Sequence, residues 1–349
     1  MDRTTARTAS FAKASEAKAS SAKASEAGPA SAKAPSFAKA TEGKPEGKPA
    51  AKVRCVGLVA PSGFLPDPAV ADRAASFFTA RGWSVCAGET VFAREMRFAG
   101  SDELRAAELQ RFATDRALDV VVAARGGYGV SRLLDRLDFK AIGQARRILV
   151  GYSDFTAFGL ALLARAGAIS YQGPSAADFG SRGDSDFTLS SFFQTIEQPE
   201  VSIEFATDGP DLDVQGRLWG GNLSMLCALV GTPYLPRVRG GILFLEDVNE
   251  PAYRIERMLL HLLQAGILPR QRAVVLGEFA PIPTMPTDNG FDLAAAVRYV
   301  RSVLPTAMLT GLPFGHGPRR LTLPIGAPGR LQVRSGRASL KFHGHPVLS

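Results

Sequence analysis

No apolar stretch in this chain approaches the roughly 20 residues needed to cross a bilayer, so no membrane partner is expected. Cysteine is scarce. Cys55, Cys86 and Cys227 are odd in number, widely spaced and form no CxxC pair. That argues against a disulfide framework or a zinc site and for a reducing compartment. Histidine is nearly as scarce, with four in 349 residues, so any chemistry that needs an imidazole has few candidates. Excess charge is also missing from most of the chain. Of the net +8, residues 1–52 carry +5, from eight Lys and two Arg against five Asp and Glu. The remaining body is too nearly neutral to suggest a nucleic-acid-binding core, and no specific nucleic-acid partner is expected.

Large aliphatic side chains are absent from residues 1–52, where Ala-Lys-Ala-Ser recurs at Ala12–Ser15, Ala17–Ser20 and Ala22–Ser25. Such a segment cannot bury a core and reads as a disordered, low-complexity tail. It has no apolar h-region, so a secretory leader is not expected. Its interspersed glutamates and its excess of Lys over Arg speak against a transit peptide.

The body that follows is rich enough in apolar residues to pack, with 46% hydrophobic and 21% charged residues overall. Strands are expected at 53–59, 83–87, 119–124 and 148–151, alternating with helices at 67–81, 102–114, 130–137 and 155–165. This rhythm predicts a parallel, flavodoxin- or Rossmann-like α/β domain over residues 53–180. Residues 181–212 lose the rhythm and read as an interdomain connection holding one short helix and one alternating run. A C-terminal mixed α/β domain over 213–349 contains a buried strand at Ile242–Leu245. An amphipathic helix follows at Tyr253–Gln264. The last stretch, 331–342, alternates as an antiparallel strand.

Sites in open α/β sheets form beyond the carboxyl ends of the strands. Four unusual segments fall there: Ala60–Gly63, Arg125–Gly129, Gly151–Asp154 and Glu246-Asp247. A fifth, Gly315–Gly317, follows an apolar segment in the same way. Ser153 sits on a tight strand-to-helix turn, which thrusts a serine outward toward the first helical N–H groups. Either Ser153 or Asp154 caps the helix, or Ser153 is a nucleophile facing donors for an oxyanion. A serine nucleophile needs a base and a carboxylate that orients it. His261 falls on the polar face of its helix, and His343 and His345 lack metal-ligand companions. His316, in a glycine-flanked loop, is the base by elimination. Glu246 is a helix cap, a structural ion-pair partner or the orienting carboxylate; sequence alone leaves these open. The Gly-rich stretch after Arg125 matches neither GxGxxG nor a Walker motif, and suits backbone approach to a carbonyl as well as to a phosphate. No metal or cofactor is expected.

The body resembles the LD-carboxypeptidases, serine peptidases of murein recycling. The matching stretches are Leu58–Gly63, Ala124–Leu134 (ARGGYGVSRLL), Gly151–Ala157 (GYSDFTA), Leu218–Leu226 (LWGGNLSML) and Leu245–Glu250 (LEDVNE). Further matches are Arg254–Leu260, Ala265–Gln271, Phe314–His316 and Leu321–Gly326. The resemblance implies a Ser-Glu-His triad at Ser153, Glu246 and His316, two α/β domains, a murein peptide substrate, a homodimer and a cytoplasmic location. Asp154 belongs to the matching motif, and its N–H is the natural oxyanion donor, with Gly127 inferred as the second. Arg125 is the expected anchor for the substrate's free carboxylate. Two rivals stand beside this reading. One is a microcin-immunity-type peptidase acting on peptidyl-aminoacyl nucleotides. The other is a non-catalytic module that binds an anionic ligand at the Gly-rich loop.

Overall fold

A computed structural model describes residues 53–183, 186–280 and 283–349; the expected tail of residues 1–52 lies outside the described residues. The first sheet is built from β1 (Cys55–Val59), β2 (Ser84–Ala87), β3 (Val120–Ala123), β4 (Ile148–Gly151) and β5 (Ser170–Gln172). These alternate with α1 (Ala69–Thr79), α2 (Asp102–Thr114), α3 (Phe139–Ala145) and α4 (Phe155–Ala166). The five strands run parallel in the order β5-β4-β3-β1-β2. β3 and β4 are buried along their whole length, as expected of parallel strands covered on both faces.

α5 (Phe187–Glu197) leads into the second sheet, made of β6 (Glu200–Ala206), β7 (Leu212–Asn222), β8 (Ile242–Asp247), β9 (Ala273–Phe279) and β10 (Ala307–Leu309). Between them lie α6 (Leu223–Ala228), α7 (Ala252–Gln264) and α8 (Leu293–Val303). β11 (Leu323–Ile325) returns to the first sheet and pairs antiparallel with β5. β12 (Pro328–Arg334) and β13 (Arg337–His343) complete the second sheet, ordered β10-β9-β8-β7-β12-β13-β6. Its β10-β9-β8-β7 half is parallel and its β7-β12-β13-β6 half antiparallel. The architecture is thus α/β, with a parallel sheet and a mixed one.

Three expectations change in detail. Residues 130–137 form two 3₁₀ turns, Val130–Arg132 and Leu134–Arg136, because the Asp138 side chain already caps the next helix through the Ala141 N–H. That helix, α3, and the three-residue β5 carry too little periodic sequence to be read in advance. Residues 331–342 lie in two strands, since Ser335 (φ 48°) and Gly336 (φ 78°) reverse the chain into a hairpin. The segment 181–212 holds the short helix and the alternating run expected there, as α5 and the edge strand β6.

α4 is apolar nearly all round, with nine of its twelve residues buried. It packs on β5 and β11 of the first sheet and on β7 and α6 of the second, so one hydrophobic cluster runs through both sheets. The contact is close at Gly221 (φ +135°), where a Cβ would lie 2.6 Å from Thr156 Oγ1. Beside it the Asn222 N–H donates to Thr156 Oγ1 at 3.0 Å. Gly221→Ala is expected to lose roughly 2–3 kcal/mol through its positive φ and overpacking. A lower urea midpoint with an unchanged slope is the measurement that checks it.

Candidate active site

β4 ends at Gly151, and the chain turns into α4 through Tyr152, Ser153 and Asp154. Ser153 takes the left-handed conformation (φ 59°), uncommon for a residue with a side chain and typical of a strained, outward-facing turn. Two glycines make room for it. A Cβ on Gly151 would collide with the Phe155 ring. One on Gly126 would come within 2.8 Å of Ser153 Cβ and 3.2 Å of its Oγ. No side chain caps α4, so neither Ser153 nor Asp154 performs the helix-capping role the sequence also allowed.

The Asp154 carboxylate, fully buried, turns away from the helix to tie three loops together. Its Oδ2 accepts from Ser62 Oγ at 2.7 Å, in the loop after β1, and from the Val130 N–H at 2.9 Å, beyond β3. Its Oδ1 is buried without a partner. Burial pushes the Asp154 carboxyl above its ordinary value, against the pull of these two donors. Arg105 of α2, also fully buried, braces the same loops. It donates to the carbonyls of Pro61 and Gly129 and pairs with Asp102.

The carboxyl end of β8 carries Glu246, whose side chain has no exposure. Its Oε2 lies 2.7 Å from His316 Nδ1, and its Oε1 accepts from Asn222 Nδ2 at 3.2 Å. His316 is partly exposed, in a loop laid over the end of β9. Cβ atoms on Gly315 or Gly317 would strike the Glu278 side chain. Tyr152, next to Ser153, reaches the same pair: its hydroxyl is 3.2 Å from His316 Nδ1. Among the described residues no hydrogen bond joins Ser153 to His316. The structure therefore brings Glu246 and His316 together and sets Ser153 one residue from a side chain that touches them.

The remaining expected residues occupy the same edge. Arg125 is half-buried and spends Nη1 on the Phe64 carbonyl at 2.8 Å. A Cβ on Gly127 (φ +109°) would meet only the Arg125 guanidinium at 3.8 Å and the Gly63 backbone at 3.9 Å, whereas Gly126 makes the contact with Ser153. His261 is exposed on α7, and His345 is buried with Nε2 against the Thr195 carbonyl. Sequence reasoning missed Tyr152, Asn222, Arg105 and Arg320. Tyr152 and Asn222 stand inside quoted motifs, but nothing in their spacing marks a shared partner.

Family models describe residues 56–173 as an LD-carboxypeptidase N-terminal domain and residues 215–331 as an LD-carboxypeptidase C-terminal domain. The crystal structure of muramoyltetrapeptide carboxypeptidase from Oxalobacter formigenes superposes with a TM-score of 0.79 at 42% identity, covering 84% of this chain and 100% of that one. A Streptomyces coelicolor protein named as a carboxypeptidase is 37% identical over 298 residues, 82% of this chain and 92% of its own. A Bacillus subtilis protein named as a murein peptide carboxypeptidase is 30% identical over 292 residues, 82% of this chain and 91% of its own.

The buried Asp154 carboxyl makes a signed prediction. Its folded value lies above the unfolded one, about 3.9. Its contribution therefore favours the fold in acid and is lost as pH rises from the unfolded value through the folded one. Asp154→Asn removes that loss. The melting temperature of the variant relative to wild type is expected to rise from pH 4 to pH 7; a flat difference would contradict the assignment.

Proposed function

The chain belongs to the LD-carboxypeptidase family of serine carboxypeptidases, and from that premise we propose that it removes terminal D-Ala from murein tetrapeptides. The bond cut joins the L-centre of the diamino acid to D-Ala, leaving a tripeptide for peptidoglycan recycling in the cytoplasm. The observation that carries this reading is the 2.7 Å His316–Glu246 pair on the strand-end edge that also bears the strained Ser153 turn.

In this mechanism Ser153 Oγ attacks the scissile carbonyl while His316 Nε2 takes its proton. Glu246 fixes the Nδ1–H tautomer and stabilises the imidazolium. The N–H groups of Asp154 and Gly127 receive the oxyanion, an effect of roughly 3–4 kcal/mol per donor in a comparable hydrolase. His316 then returns the proton to the leaving amine, and water clears the acyl-enzyme. Catalytic hydrogen bonds commonly tighten only with substrate in place, so the Ser153–His316 bond forms in that complex. Arg125 keeps guanidinium nitrogens beyond the one on Phe64 for the D-Ala carboxylate. No metal or cofactor enters these steps.

We read the body as two domains, 53–180 and 213–349, joined by 181–212 and assembled as a homodimer. The two separate family matches support the division, and the dimer rests on the resemblance.

Wild-type protein is expected to release D-Ala from the tetrapeptide, with a tripeptide seen by mass. Ser153→Ala should lower the rate about 10³-fold or more. Cleavage of a peptidyl-aminoacyl nucleotide in place of the tetrapeptide would replace the substrate assignment. Arg125→Ala should raise KM for the tetrapeptide and not for its C-terminal amide; an equal rise for both would remove Arg125 from carboxylate binding.

A further inference from the structure

Glu246 is a carboxylate without access to water, so its charge is governed by the donors around it. His316 Nδ1 and Asn222 Nδ2 supply two. Tyr152 brings a third donor, its hydroxyl, to the same place. Its ring is buried, its centroid lies 4.6 Å from the imidazole, and its oxygen is 3.2 Å from Nδ1. The single Nδ1 hydrogen is taken by Glu246 at 2.7 Å, which leaves the phenol's own hydrogen for the neighbouring carboxylate, a hydrogen bond that itself raises the phenol. Burial, and then the nearby Glu246 charge, push the phenol well above its ordinary value, which keeps it a donor. The ring cannot swing away. The Arg320 guanidinium lies 4.0 Å over it, and Phe314 meets it edge-on. Arg320 is itself fixed by Asp178 at 2.8 Å and by the Gly315 carbonyl at 3.2 Å.

We propose that Tyr152 is a positioning residue that sets the basicity of His316 by donating its phenolic hydrogen bond to Glu246. This rests on the Ser-His-Glu reading above. A carboxylate that shares its charge with a third donor pulls less on the imidazolium, so losing that donor is expected to make the imidazolium give up its proton less readily. The other charged groups facing His316 are Glu278 of β9, which lies under Gly315 and Gly317, and Arg320, which is balanced by Asp178. Arg320 also hydrogen-bonds the Tyr152 hydroxyl and loses that contact when the hydroxyl is removed, but it stays held by Asp178 and by the Gly315 carbonyl.

The test is Tyr152→Phe, which keeps the ring and its contacts. Its kcat is expected to fall about 3- to 30-fold, in line with one lost hydrogen bond to a charged group, with KM within about twofold. The acid limb of kcat/KM is expected to move upward by about half a pH unit or more. Independently of activity, an NMR titration of His316 should move the same way. The effects of Tyr152→Phe and Glu246→Gln should not add: once Glu246 is neutral, the phenol has no charge to share. An unmoved His316 titration, or additive losses, overturns the proposal. Activity surviving Ser153→Ala is a different result and overturns the underlying triad, whatever Tyr152→Phe does.

Discussion

The bond between His316 and Glu246 is made at the end of the second sheet, and a side chain from the first sheet is packed against it. Glu246 ends β8, His316 hangs over the end of β9, and the tyrosine touching them leaves β4 of the other sheet. Hydrogen bonds lose strength steeply over a few tenths of an ångström and as their angles bend. The two sheets must therefore hold a fixed relation. α4 supplies it, buried on nearly every side and joined to the end of β7 through Thr156 and Asn222. Asn222 then reaches on to Glu246. The serine turn and the carboxylate are thus linked through a few short bonds in a region that excludes water, where such bonds are strong and costly to break.

The edge bearing these groups is made of loops, and loops are the mobile part of an α/β protein. Here their freedom is removed from beneath. Asp154 binds the loops that follow β1 and β3, and Arg105 crosses under the same two. Burying an ionisable side chain is unfavourable, and for Asp154 the cost shows in its raised carboxyl and unpartnered Oδ1. What the fold gains is a serine turn that stays in a left-handed conformation.

Much of this was legible in the sequence, for reasons that can be named. Val120–Ala123 and Ile148–Gly151 are apolar runs too short for helices, so parallel strands and their open ends follow directly. Ser153, Glu246 and His316 stand at such ends, and in the structure Glu246 and His316 meet. Tyr152, Asn222, Arg105 and Arg320 were illegible because their roles depend on contacts across the fold. Arg105 is the clearest case. An arginine on a helix with charged neighbours reads as solvated, yet Gly129 leaves room for its guanidinium at the floor of the edge. α3 and β5 were missed because seven and three residues carry almost no periodic signal.

β11 gives the chain an order in time. Leu323 pairs with Gln172, about 150 residues earlier, so the outer edge of the first sheet stays open until residues 323–325 have been made. A strand with free N–H and C=O groups on one side is a template for pairing with other chains. Closing so long a loop is slow as well as entropically costly. Before β11 arrives, the free side of β5 is exposed. Covering that edge is therefore a late event, because it waits on a strand pairing of long sequence separation.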